Sequence, residues 1–343
     1  MARDEFALIR EWTGRSYGLE GNGVSVGLGD DAAVFSVAAG MEVVACCDAM
    51  IETVHFLRET MSPCDIGYKA MISNISDIAA MGGIPRYALV TIGVSPGWQA
   101  DECKRIYEGI DQAAKLYNVR MIGGDTVATP DALHLSITLL GEVESGRALR
   151  RSSARAGDLL FLTGPVGSSA AGLDLLLSRR ERAVEPRPDW QTLVAQHQRP
   201  TAQVEAGRLL LKSGLGRALN DISDGLASEA WEIAEASGCK IVIEAERVPM
   251  LEEMRSYAAS VGKNPLDWAF YGGEDYQLIG SVPATEAETL AAAFAEHGLP
   301  FYLLGTVEAG QPGVWLSEQG SERPLPKAGY NHFKDEAGED QNG

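Results

Sequence analysis

The chain has 343 residues, enough for two domains at about 100–200 residues each, and its 45% hydrophobic and 22% charged content is that of an ordinary globular protein. A formal net charge of −19 excludes general nucleic-acid binding, which needs lysine and arginine against phosphates, and disfavours anionic membrane surfaces. An anionic ligand therefore needs a cation between it and this protein, and magnesium is the natural one.

The first residues, Met1-Ala2-Arg3-Asp4-Glu5, carry charge where a signal peptide needs an apolar core. No apolar run approaches the ~20 residues of a membrane span. The five cysteines show no Cys-x-x-Cys pair and no zinc spacing with the five histidines. A reducing cytoplasm is the expected compartment, with neither nucleic acid nor membrane as partner.

Gly29-Asp30-Asp31 follows the apolar run Val24–Leu28. Val43–Cys47 reads as a strand ending on Asp48, with Cys46 and Cys47 pointing to opposite faces. Ser62-Pro63-Cys64-Asp65 offers an N-cap, a proline at the first helical position and an early acid, and Gly82-Gly83 closes the helix. On that helix Lys69, Ser73 and Asp77 share one face with Asn74 beside them. Asp77 lies among Ile75, Ile78 and Met81, where an unpaired acid is costly. Tyr87–Val94 reads as a strand and about Ala100 to Tyr117 as a helix. Val119–Ile122 then reads as a strand ending on a Gly123-Gly124-Asp125-Thr126 turn, whose glycines let backbone amides face a phosphate. Leu133–Val143 alternates as a strand does.

The arginine-rich stretch Glu144–Gly157 is the expected boundary between an N-terminal domain, 1–145, and a C-terminal domain, 150–333, with an acidic, glycine-rich and disordered tail at 334–343. Beyond the boundary, Asp158–Thr163 reads as a buried strand. Gly164-Pro165-Val166-Gly167 lacks the Gly-Lys-Ser/Thr ending of a phosphate loop and reads as a turn into the helix Ser168–Leu177. Arg179–Pro200 reads as a polar surface excursion. Asn220-Asp221-Ile222-Ser223-Asp224-Gly225 sets two acids at the mouth of a helix starting near Leu226, of which capping explains one. Gly272-Gly273-Glu274-Asp275-Tyr276 is expected to open a strand, where acids are otherwise disfavoured. Ile75-Ser76-Asp77 and Ile222-Ser223-Asp224 echo each other, once per domain.

Taken together the acidic motifs are hard oxygen donors of the kind magnesium prefers, with no basic phosphate loop between them. The residues by themselves leave two readings: an enzyme that holds a polyphosphate through metal ions, or a non-catalytic acidic metal-binding protein.

Taken in order, Gly29-Asp30-Asp31-Ala32-Ala33, Asp48-Ala49-Met50 with His55-Phe56, Asn74 to Gly82, Gly123-Gly124-Asp125-Thr126, His197-x-Arg199-Pro200, Ser223-Asp224-Gly225-Leu226, Gly272 to Tyr276, and Gly329-Tyr330-x-His332-Phe333 closely resemble the thiamine-monophosphate kinase family. The resemblance runs from about Glu5 to Phe333. The first, fourth and sixth motifs are shared with the wider superfamily of aminoimidazole ribonucleotide synthetase, while the His55-Phe56, Gly-Gly-Glu-Asp-Tyr and Gly-Tyr-x-His-Phe stretches are more specific to the kinases.

The resemblance implies two mixed α/β (α+β) domains of the aminoimidazole-ribonucleotide-synthetase-like fold, with N-terminal sheets pairing across a homodimer. It implies ATP, several magnesium ions, and γ-phosphoryl transfer onto thiamine monophosphate to give thiamine diphosphate and ADP. The acceptor is already an ionised phosphate, so no general base is called for. By motif, Asp31, Asp48, Asp77, Asp125 and Asp221 are expected to ligate magnesium, with Asp224 on a further ion. Tyr107, Gly124, Asp125, Arg151 and Ser223 are expected at the nucleotide, and His55, Glu274 and Tyr330 at thiamine monophosphate. One stretch departs from the family: Cys46-Cys47-Asp48-Ala49 stands where hydroxyl residues are usual, and a neutral thiol is a poor partner for magnesium. Other synthetases of the superfamily are the nearest alternative. The hydrogenase-maturation member would carry a C-terminal cysteine, and selenophosphate synthetase a reactive cysteine or selenocysteine ahead of Cys46; neither occurs here.

Overall fold

The computed structural model describes residues 5–14, 23–28, 32–182 and 187–330. Asp31, His332 and the tail 334–343 lie outside them. In the N-terminal half, α1 (Glu5–Thr13) precedes a small hairpin of β1 (Val24–Val26) and β2 (Val34–Phe35). There follow β3 (Met41–Ile51), α2 (Pro63–Ala80), β4 (Ile84–Val94), α3 (Ala100–Leu116), β5 (Arg120–Ala128) and β6 (His134–Glu144). The last four strands form one sheet in the order β3-β6-β4-β5, antiparallel except for the β4–β5 pair. The apolar faces of α2 and α3 pack on it through Ile66, Ile72, Ile75 and Ile106, against Val90 and Ile137.

The start of α2 is set as its sequence predicts: the Ser62 side chain accepts from the Asp65 N–H at 3.3 Å, with Pro63 in the first turn. Two expectations here need correction. Asp48 does not end its strand but sits within β3, opposite Ile137, because the ladder to β6 continues to Ile51. Likewise Gly123–Thr126 is not a turn. β5 runs through it in parallel pairing with β4, after an irregularity between Ala88 and Leu89. Gly124 has φ +155°, and a Cβ there would stand 1.9 Å from the Val90 carbonyl oxygen, so glycine is what lets the strand pass so close.

The C-terminal half contains β7 (Asp158–Leu162), α4 (Ser168–Arg182), α5 (Gln191–Gln198), α6 (Val204–Ser213), β8 (Leu219–Asp221), α7 (Leu226–Ser237) and β9 (Lys240–Glu244). After these come α8 (Glu252–Val261), α9 (Pro265–Tyr271), β10 (Leu278–Pro283), α10 (Ala287–Glu296), β11 (Tyr302–Glu308), β12 (Gly313–Glu318) and β13 (Ser321–Pro324). The seven strands β7 to β13 form a sheet in the order β13-β12-β9-β11-β7-β10-β8. The stretch expected to be a surface excursion contains α5, whose Leu193, Val194 and His197 are buried beneath α4. Nor does Gly272–Tyr276 open a strand: β10 begins at Leu278, and the motif is a loop laid over residues 222–223.

The two halves are tied across α2. Arg208 on α6 donates to the Gly82 carbonyl at 2.8 Å and pairs with Glu144. Ser76 on α2 donates to Asp221 at 2.7 Å, and Lys69 pairs with Glu274.

Candidate active site

A cleft of about 730 Å³ opens between the halves. One wall is the end of β3 and the loop after it, carrying Asp48 and His55. The floor is the α2 face with Ser73 and Asp77. The far wall comes from the C-terminal half: Asp221, Ser223 and Asp224 before α7, Glu274 and Tyr276 in the glycine-rich loop, His197 on α5, and Tyr330. The two sequence echoes thus meet in one place.

Asp48, Asp77 and Asp221 crowd the same volume. Burial, then the charges of Asp221 and Asp48, hold the Asp77 carboxyl up at about 8. Asp221 is raised to about 6 by burial, opposed by its bond from Ser76, and burial also raises Asp48. Buried carboxylates that destabilise one another are stabilised by a cation. The Asp48 N–H donates to Asn74 Oδ1 at 3.1 Å, which fixes the acid over α2. Hard oxygen donors, crowded and partly desolvated, fit magnesium in chemistry. Among the described residues no three acids, histidines or cysteines already close on a single ion.

Cys46 faces α2, its thiol 3.3 Å from the Asn74 carbonyl oxygen, while Cys47 is exposed on the opposite face, as alternation requires. Burial, then the charges of Asp77 and Asp48, push the Cys46 thiol far up, so it stays a neutral thiol beside the acids.

Behind Asp221 lies a polar relay. Arg151 Nε donates to Asn220 Oδ1 at 2.8 Å, and Asn220 in turn donates to Glu229. Glu229 accepts the Asp224 N–H at 3.3 Å and the Ser223 hydroxyl at 3.4 Å. Arg151 also pairs with Glu232 at 2.7 Å. The mouth of α7 is therefore shaped by Glu229 from within the helix, and neither Ser223 nor Asp224 caps it; Gly225 stands at the N-cap.

The glycine-rich loop holds Glu274 and Tyr276 at left-handed φ values of 67° and 51°. Backbone bonds from Glu274 N to the Ser223 oxygen (2.7 Å) and from Tyr276 N to the Ile222 oxygen (2.8 Å) hold that conformation. Asp275 turns inward and accepts the Ser169 N–H at 3.2 Å at the start of α4. In the Gly-Pro-Val-Gly turn the Gly167 N–H donates to the same carboxylate at 2.5 Å and the Val166 N–H to the Pro249 carbonyl oxygen at 3.0 Å, so these amides are already engaged within the protein. Lys69 Nζ, fully buried, pairs with Glu274 and stands 3.5 Å from His197 Nδ1. His55 Nδ1 accepts the Ile51 N–H at 3.0 Å, and its ring lies 6.3 Å from that of Tyr330.

The cleft thus gathers Asp48, Asp77, Asp221, Asp224, Ser223, His55, Glu274 and Tyr330. Arg151 reaches it through Asn220 and through its charge on Asp77 and Asp221. Tyr107, Gly124 and Asp125 stand apart, on and beside β5 at the other edge of the sheet, about 14 Å from β3 at three strand spacings. Tyr107 is buried against Trp12, with its hydroxyl at Thr126 and Asp125 close by. Sequence reasoning gave no role to His197, Asn220, Glu229 or Asp275. His197 had a signal in its His-x-Arg-Pro motif, and Lys69 in its place on the Asp77 face; Asn220 and Glu229 had none that distinguishes them from other polar residues.

Residues 29–143 and 155–316 match the N-terminal and C-terminal domains of the AIR synthase related proteins, which defines the class of this two-domain chain. Within it, the chain is 44% identical over 337 residues to the thiamine-monophosphate kinase of Bacillus subtilis strain 168, covering 96% of this chain and all of that one. The crystal structure of thiamine-monophosphate kinase from Stenotrophomonas maltophilia K279a superposes with a TM-score of 0.81 at 30% identity, covering 94% of this chain and 98% of that one. AaThiL complexed with AMPPCP and TMP superposes with a TM-score of 0.76 at 32% identity, covering 96% and 97%. The chain belongs to the thiamine-monophosphate kinase family.

Proposed function

We propose that this chain transfers the γ-phosphoryl group of ATP to the phosphate of thiamine monophosphate, releasing thiamine diphosphate and ADP. The observation that carries this reading is the crowding of Asp48, Asp77 and Asp221 at a cleft whose far wall holds Glu274 and Tyr330. Likeness to a relative solved with AMPPCP and TMP supports it.

Asp48, Asp77 and Asp221 would hold magnesium, joined by Asp31, Asp125 and Asp224 on the strength of the motifs. Bound there, magnesium supplies the positive charge that lets two anionic phosphates approach in line. The protein's own groups then position. Ser76 and Asn74 fix Asp221 and Asp48. Arg151, steered by Asn220, places a guanidinium on the nucleotide side. Ser223, Gly124 and Tyr107 complete the nucleotide contacts. His55, fixed by the Ile51 N–H at its Nδ1, lines the wall of the cleft where the substrate would lie. Tyr330 gives a flat face for the thiazolium ring by cation–π attraction, and Glu274 adds a carboxylate whose charge Lys69 already offsets in part. No side chain has to remove a proton, because the attacking oxygen is ionised; catalysis is positioning and charge neutralisation.

The working unit is read as a homodimer of the cytoplasm. β3 is an edge strand with Val43 half exposed, and β5, the other edge, exposes Val127. Closing two such sheets into a barrel, with β3 of one copy beside β5 of the other, brings the separated acids together. A solution mass equal to one chain of 36.7 kDa would remove this part of the reading. Among the described residues no helix is long and apolar enough to cross a membrane.

Purified protein with ATP, magnesium and thiamine monophosphate is expected to form thiamine diphosphate and ADP in equal amounts. No thiamine diphosphate across a range of magnesium and potassium concentrations would refute the assignment.

A further inference from the structure

Lys69, Glu274, Ser169 and His197 form a cluster at one end of the cleft. Lys69, Ser73 and Asp77 follow one another down a single face of α2, so Lys69 stands two turns, about 12 Å, from Asp77. A ligand with its phosphate at Asp48, Asp77 and Asp221, extended along α2, presents its other end to this cluster.

The contacts of His197 define its tautomer. Nδ1 lies 3.5 Å from Lys69 Nζ and 3.3 Å from Ser169 Oγ. An ammonium donates and never accepts, so Nδ1 must be the unprotonated, accepting nitrogen, and the ring proton sits on Nε2. Burial and the Lys69 charge hold the imidazole at about 2, so the ring is neutral. Nε2 has no hydrogen-bond partner, although His197 is only 2% exposed and lines the cleft. A buried donor without an acceptor is destabilising, and a ligand atom that accepts from it removes the penalty. The neighbouring wall, Ala170 and Leu173 of α4, is apolar and suits the face of a flat ring.

We propose that His197, held as the Nε2–H tautomer by Lys69 and Ser169, donates a hydrogen bond to a ring nitrogen of the substrate's aminopyrimidine and selects for that ring. This rests on the reading of thiamine monophosphate as substrate. At that end of the molecule the pyrimidine nitrogens are the acceptors, and the thiazolium offers none. Lys69 is a positioning residue here: it sets the tautomer and orients Glu274 without itself reaching the ligand.

The test compares thiamine monophosphate with its two analogues in which one pyrimidine nitrogen is replaced by C–H, on wild-type protein, His197→Ala and His197→Gln. Wild type is expected to lose about tenfold or more in kcat/KM with one of the two analogues. His197→Ala is expected to raise the KM for thiamine monophosphate by a similar factor, leave the KM for ATP within about twofold, and show no further loss with that analogue. His197→Gln, which keeps an N–H donor, recovers part of the loss. If both analogues serve wild type as well as the natural substrate, the proposal is overturned, and this arm needs no variant to fold. Loss of kcat alone, or equal changes in both KM values, overturns it too, because a merely structural His197 acts that way. Failure of wild type to make thiamine diphosphate overturns both this proposal and the function it rests on, whereas normal turnover with undiminished analogue use overturns this one alone.

Discussion

Asp77 shows how a single position can argue for a function. On the sequence it is an acid on an apolar helical face; in the fold it is a buried acid facing two more. Its consequence is a pH dependence with a definite sign. The unfolded carboxyl has its ordinary value of 3.8, whereas the folded one is held at about 8, and Asp221 at about 6. Between those limits the folded, metal-free protein binds more protons than the unfolded chain, so its stability falls as pH rises from about 4 to about 8. Magnesium bound as proposed would relieve the repulsion and stabilise most at the upper end. Thermal unfolding at about pH 5, 6.5 and 8, with and without magnesium, is expected to show a melting temperature that drops with pH only in the metal-free protein. A metal-free melting temperature that rises across this range would contradict the placing of these acids. In the sequence Asp48 stands out after an apolar run, Asp77 on an apolar helical face and Asp221 as one of two acids before a helix; the metal role proposed for them comes from the family resemblance. His197 and Asn220 were not legible, because their partners Lys69 and Arg151 lie far along the chain, and Glu229, six residues on from its partner Ser223, reads as one more polar residue of α7.

At the level of elements, the glycine-rich loop from Gly272 to Tyr276 is where local rules and tertiary structure part. The sequence reading has it open a strand in spite of its acids, yet its N–H groups bond to residues 222–223, and two non-glycine residues take left-handed φ. A Cβ at Gly273 would stand 2.1 Å from the Ser223 carbonyl oxygen. Gly273→Ala is expected to push the loop off the Asp221–Gly225 segment, lower kcat/KM for thiamine monophosphate by at least about tenfold and destabilise the protein by about 1–3 kcal/mol. Chemical denaturation and steady-state kinetics measure both, and wild-type values in both would mean the loop is not held as described. The helix α2 was legible throughout, since its cap, proline and closing glycines are all local signals. α5 was missed because Gln191–Gln198 buries only Leu193, Val194 and His197, too sparse an apolar stripe to show against its polar neighbours. β5 was cut short because Gly123-Gly124 reads as a turn until Val90 is seen lying against it.

For the whole molecule, the two halves line one cleft with different residues. The N-terminal sheet and α2 bring Asp48 and Asp77; the C-terminal half brings Asp221, Glu274 and Tyr330; and the ties through Ser76, Lys69 and Arg208 hold the cleft between them. The two-domain organisation was readable in the rhythm of strands and helices. The way the halves face one another was not, because it depends on side chains such as Ser76 and Asp221 that are remote in sequence. The central claim, direct phosphoryl transfer between two anions without a basic side chain to remove a proton, is tested most directly by following isotopic label from the γ-phosphoryl group of ATP. The account predicts that the label appears only in the terminal phosphoryl group of thiamine diphosphate, in step with ADP and only when magnesium is present. Label released as free phosphate with no thiamine diphosphate, or AMP formed in place of ADP, would contradict it.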